Sequence, residues 1–149
     1  MTVPTALDVG LARVPDVAAR LDVLHATAWQ SVDAVVLELC RLRMATLLGL
    51  EAEQNERTPT AVAAGLVEAK ALDVAQWPTS PQFSNVERAC LAFAEWFVID
   101  VASIPDEMAL NVVEHLGDEG ARTFVTALLV VEQRQRLSLA WERLLGGDQ

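Results

Sequence analysis

Apolar residues recur at intervals of three and four along almost the whole chain, and that spacing most constrains what it can become. Val86, Cys90, Leu91, Phe93, Ala94, Phe97, Val98 and Val101 form one such series. A helix with 3.6 residues per turn brings all of them to one face, whereas a strand requires alternation with a period of two. No strand-like alternation competes elsewhere, so the chain is expected to be all-α.

Local punctuation predicts where the helices begin and end. One helix is expected near 15–28 and another near 33–48, before Gly49. Thr58-Pro59 offers a cap followed by proline in the first turn, opening a helix toward Ala71. Residues 76–83, with Pro78 and Pro81, read as an irregular connection. Ser84-Asn85-Val86-Glu87 is a capping-box pattern, in which serine and glutamate satisfy each other's free backbone donors. Ser103-Ile104-Pro105-Asp106 opens a helix to about His115-Leu116, and Gly117 ends it. Acidic Asp118-Glu119 suits the start of a last helix to about Leu145, with Phe124, Leu128, Val131 and Leu139 buried.

A length of 149 residues predicts a single domain over 1–149. Apolar residues make up 52% of the chain and the mean hydropathy is +0.28, so some apolar surface is expected to be covered by another subunit. A net charge of −10 repels phosphate backbones and anionic lipids, which argues against nucleic-acid and membrane partners. The longest apolar run, about 124–131 and interrupted by Thr126, falls well short of the roughly 20 residues that span a bilayer. Met1-Thr2-Val3-Pro4 lacks a basic stretch followed by an apolar one, and the expected location is cytoplasmic. Cys40 and Cys90 both fall inside helical patterns and are expected to be reduced, buried thiols. With no metal-ligand spacing, phosphate loop or serine elbow, neither a metal nor a cofactor is expected.

Glu38-Leu39-Cys40-Arg41-Leu42-Arg43-Met44-Ala45 leads into Leu48-Gly49, and Ala61-Val62-Ala63-Ala64-Gly65 follows. Phe83 to Glu95, Pro15-Asp16-Val17-Ala18, the Trp29 region, Pro105-Asp106-Glu107 and Gln135-Arg136-Leu137 extend the pattern over nearly the whole chain. This frame resembles the carboxymuconolactone decarboxylase family, which includes the alkylhydroperoxidase D-like proteins. The resemblance implies a compact helical subunit assembling into trimers or hexamers, with its site on the helix holding the Gly49 segment. In the thiol branch a glutamate precedes C-x-x-C-x-x-x-H at the spacing at which Glu38 precedes Leu50. Here Leu50 and Glu53 take the two cysteine positions and Arg57 the histidine position. Thiol peroxidase or disulfide chemistry is therefore not expected, because it needs a thiolate that glutamate cannot supply. The segment after Gly49 also looks like the cysteine-free decarboxylase branch, which keeps a histidine where Arg57 stands.

What remains is a possible charged site built on Glu38, Glu53 and Arg57. Arginine stays charged and cannot shuttle protons, but it can clamp a carboxylate, either Glu38, Glu53 or a ligand's own. In one reading Glu38 and Arg57 only neutralise each other between packed helices. In the other, Arg57 holds a small carboxylate ligand while Glu38 or Glu53 moves a proton. Glu51, Glu53 and Glu56 equally fit a solvated turn. His25 and His115 have no accompanying nucleophile or ligand spacing. Glu132 and Arg136 stand four apart, as an intrahelical pair does. With Gln135 they offer a polar wall or an interface. Trp29, Trp77, Trp96 and Trp141 read as core or interface residues. Two functions follow: a non-redox decarboxylase or lactone-acting enzyme on a small acid, or a non-catalytic oligomeric binding or scaffold protein.

Overall fold

A computed structural model describes residues 3–146, whose regular structure is all helical, with no strand among them. In chain order the helices are α1 (Ala6–Ala12), α2 (Pro15–Ser31), α3 (Ala34–Leu48), α4 (Glu51–Gln54), α5 (Pro59–Ala63), α6 (Glu68–Leu72), α7 (Asn85–Ile99) and α8 (Asp106–Leu145). Short 3-10 turns at Val74–Gln76 and Val101–Ser103 connect the later ones. No helix among the described residues is long and apolar enough to cross a membrane.

α3 is the centre of the bundle. It packs against α7 and α8, while α2 and α1 lie against α8. Its side chains are buried on nearly every side, including Leu37, Leu39, Cys40, Leu42 and Met44, as befits a helix apolar all round. Phe124, Leu128 and Val131 of α8 fill the space against it, and Phe93 of α7 meets Phe124 with ring centroids 6.2 Å apart. Leu139 is half-buried instead of fully inside. Cys40 and Cys90 are free and fully buried. Burial pushes the Cys90 thiol up to about 12 and raises Cys40 as well, so neither forms a thiolate nucleophile at neutral pH.

The capping signals are realised atom by atom. Ser84 Oγ accepts from the Glu87 N–H at 3.2 Å and Glu87 Oε1 accepts from the Ser84 N–H at 2.8 Å. α3 starts on Asp33, whose carboxylate accepts from Val35 and Val36, and ends on Gly49 in the left-handed region at φ 76°. There the Leu50 N–H returns to the Ala45 carbonyl at 2.9 Å. Gly49→Val is expected to cost about 1–2 kcal/mol, read as a lowered midpoint in urea, because a β-branched residue is strained at this φ.

One further expectation needs correction. The helix expected from Thr58 toward Ala71 is two short helices, α5 and α6, separated at Gly65 with φ 102°. Thr58 makes no side-chain cap there. The expected break at Gly117 is present (φ 76°, ψ 169°): one helical arm ends there and the next begins at once, so α8 is two arms joined at a kink. α1, which the periodicity does not announce, starts on a Thr5–Asp8 capping box and lies along α8. Its Gly10 faces the Trp141 ring so closely that an added Cβ would lie 2.3 Å from the indole.

Candidate functional site

Glu38 is fully buried on α3, and its partner is Arg41, one turn along the same helix, not Arg57. Arg41 Nε donates to Glu38 Oε1 at 2.5 Å, and Nη2 bears on the same oxygen. Glu38 Oε2 accepts the Thr58 backbone N–H at 2.9 Å. Both carboxylate oxygens are satisfied inside the core, with no exposed face for a substrate. The expected Glu38–Arg57 pair does not form. The i, i+3 spacing on one helix brings Arg41 in at short range, while Arg57 leaves α3 on a separate segment.

Arg41 does more than neutralise Glu38. Its Nη1 donates to the Glu53 carbonyl at 3.1 Å and its Nη2 to the Glu56 carbonyl at 2.8 Å. One buried guanidinium thus staples the segment carrying α4 to the core helix. From α8, Gln135 Nε2 donates to the Arg41 carbonyl at 2.9 Å, so three elements converge on this residue.

Glu53 shares the Arg41 guanidinium but differs from Glu38 in hydrogen bonding and exposure. Its Oε1 lies 3.8 Å from Arg41 Nη1, and its Oε2 is buried with no hydrogen-bond partner among the described residues. Burial raises its carboxyl above the ordinary glutamate range, against the pull of Arg41 and the neighbouring Gln135 amide. Glu53 also lines a cleft of about 260 Å³ between α1, α4 and α8. Asp8, Glu56, Arg134, Ser138 and Glu142 share its walls. Leu50, at the other former cysteine position, is buried, while Glu51 and Glu56 are exposed as a solvated turn would be.

Arg57 is held elsewhere. Its guanidinium binds the Glu68 carboxylate and the carbonyls of Gln54 and Glu56. Of the three residues singled out from sequence, Glu38 is a sealed core acid, Glu53 faces the cleft and Arg57 belongs to another pocket. Arg134 is the cation that the cleft does contain. His25 Nε2 accepts from Trp29 Nε1 at 3.1 Å, and burial lowers its pKa, so it serves as a neutral acceptor for a core indole. His115 is exposed on α8. Glu132 and Arg136 do pair along α8. No group of three or more His, Cys, Asp or Glu side chains among the described residues is arranged to hold a metal ion.

Comparison with protein-family models, with curated proteins and with solved structures returned no match for this chain.

Proposed function

We propose that the chain is a carboxymuconolactone decarboxylase-like protein without thiol redox chemistry, an enzyme whose proton-exchanging group is Glu53. The observation that carries this reading is the buried, unpartnered Glu53 Oε2 beside an open cleft. A carboxyl displaced upward by burial gives up and regains a proton nearer neutral pH than an ordinary glutamate does, which is what general acid–base work requires. Glu38 is a structural acid in this reading. Its place as proton carrier passes to Glu53.

The cleft walls set Asp8, Glu53, Glu56 and Glu142 against Arg134 alone. That balance disfavours polyanions and narrows the substrate to an uncharged lactone or a mono-acid whose carboxylate meets Arg134. A subunit of this type would work as a trimer or hexamer, with no metal or cofactor. The sealed Glu38–Arg41 pair favours a second reading, a binding or scaffold protein that has kept the helical frame alone.

A thermal-shift panel of five- and six-membered lactones and their hydroxy acids separates the two, because a ligand selective for the folded state raises its melting temperature. The enzyme reading expects stabilisation that vanishes in Arg134→Gln, and turnover that falls roughly 10²–10⁴-fold in Glu53→Gln. A silent panel supports the scaffold.

Glu53 also has a signature independent of substrate. Its folded carboxyl is raised, so the folded state holds this proton more tightly than the unfolded chain. That contribution is fully present below the unfolded value and is lost as pH rises through the folded value. Glu53→Gln should therefore be more stable than the parent protein at pH 7, and the advantage should disappear in acid below the unfolded value of 4.5. Urea melts at both ends of that range check it. Equal stability differences throughout would contradict the raised carboxyl.

A further inference from the structure

Arg57 stands apart from the Glu53 cleft and has surroundings of its own. Its Nη1 donates to the backbone carbonyls of Gln54 and Glu56, both at 2.8 Å, which fixes the guanidinium plane. The opposite edge makes two parallel bonds to one carboxylate: Nε to Glu68 Oε2 at 3.0 Å and Nη2 to Glu68 Oε1 at 2.9 Å. This two-pronged arrangement is how arginine recognises a carboxylate in any molecule.

The two partners are unequally buried. The Arg57 side chain is 15% exposed and the Glu68 side chain 61% exposed. Glu68 is the first residue of α6, a five-residue helix without a side-chain cap, and among the described residues its carboxylate accepts hydrogen bonds from Arg57 alone. Arg57 also borders a cavity of about 210 Å³ whose apolar wall is Leu42, Ala71, Leu72, Val74 and Ala75, with Thr46 and Asn55 at its polar side. A guanidinium held rigidly from behind, paired with an exposed carboxylate and flanked by a hollow with one apolar and one polar side, has the parts of a small-acid site.

We propose that Arg57 anchors a binding site for short-chain monocarboxylates, in which the ligand's carboxylate displaces Glu68 and its hydrocarbon body fills the adjacent cavity. The volume lies below the roughly 300–1,000 Å³ typical of sites for drug-sized ligands, which suits a small acid. Glu68 acts as a built-in competitor that keeps the fork filled when no acid is present. The site is separate from the Glu53 cleft and stands or falls independently of the function proposed there.

Butyrate is the probe, with 1-butanol as its uncharged counterpart, titrated into the ¹⁵N-labelled full chain and followed by NMR. Butyrate should shift the Arg57 Nε–H signal and the amides of 68–75 with saturation, and 1-butanol should not. Glu68→Ala frees the fork and should tighten butyrate binding about two- to fivefold, the range set by exposed ion pairs. Glu107→Ala makes the same charge change at a distant site on α8 and should leave the affinity unchanged. Arg57→Lys keeps the charge but loses the two-pronged geometry, and should abolish saturable binding while circular dichroism shows the helices intact. Equal affinity in Arg57→Lys, equal tightening in Glu107→Ala, or no butyrate binding by folded Glu68→Ala would each overturn the proposal.

Discussion

Arg41→Met should lower the stability of the folded chain by about 3–5 kcal/mol, as breaking a buried ion pair from one side does. The substitution keeps most of the volume and removes the charge that compensates Glu38 at 0% exposure. It also strips the Glu53 and Glu56 carbonyls of their donors. Denaturant titration reads the loss directly. Glu38→Gln should destabilise as well, because it leaves the guanidinium without its counter-charge. The double change Glu38→Leu with Arg41→Met should recover part of the loss but not all, since an apolar pair needs no counter-charge yet cannot satisfy those two carbonyls. Additive losses in the double variant would show that the pair is not energetically coupled.

Gly10→Val should destabilise by about 1–3 kcal/mol, the usual cost of overpacking, and its effect should concentrate on α1. The added Cβ would meet the Trp141 ring at 2.3 Å, a distance that no atom pair tolerates, so either the indole or α1 must move. Leu7 and Leu11 hold α1 against the bundle, and Thr5 to Asp8 form one wall of the Glu53 cleft. A shift at Gly10 therefore opens that wall. Faster amide exchange confined to α1, together with altered Trp141 fluorescence, is the expected result; uniform exchange across the bundle would place the strain elsewhere.

The long helices were legible because each was over-determined. α7 carries a continuous apolar face and a reciprocal cap, and both signals point to the same start. α1 is not announced by the sequence, for the opposite reason. It is seven residues long and its only marker is Thr5 with Asp8 three residues on, a capping box with aspartate in place of the commoner glutamate. The helix expected from Thr58 to Ala71 failed at Gly65, where a positive φ ends what the alanine-rich composition would continue. At the site, the positions of the absent cysteines point to Glu53, whereas the clue to Arg41 is local. Two opposite charges three apart on the buried face of a mostly apolar helix lie within reach of each other, and pairing offsets the cost of burying both. Arg134 was unreadable as a cleft residue, since only the docking of α1 on α8 creates the cleft.

Gly117 carries a consequence for how the site is aimed. Its backbone angles lie in a region essentially closed to residues with a Cβ, so the bend in α8 is written into one position. Every α8 residue near Glu53, namely Arg134, Gln135, Ser138 and Glu142, lies beyond it. The apolar stripe before the bend, with Val112, need not be in phase with the stripe after it, with Phe124, Leu128 and Val131. The joint thus lets two rotational settings coexist in a single helix. One setting seats the front arm in the bundle, and the other points the rear arm's polar side chains across the cleft.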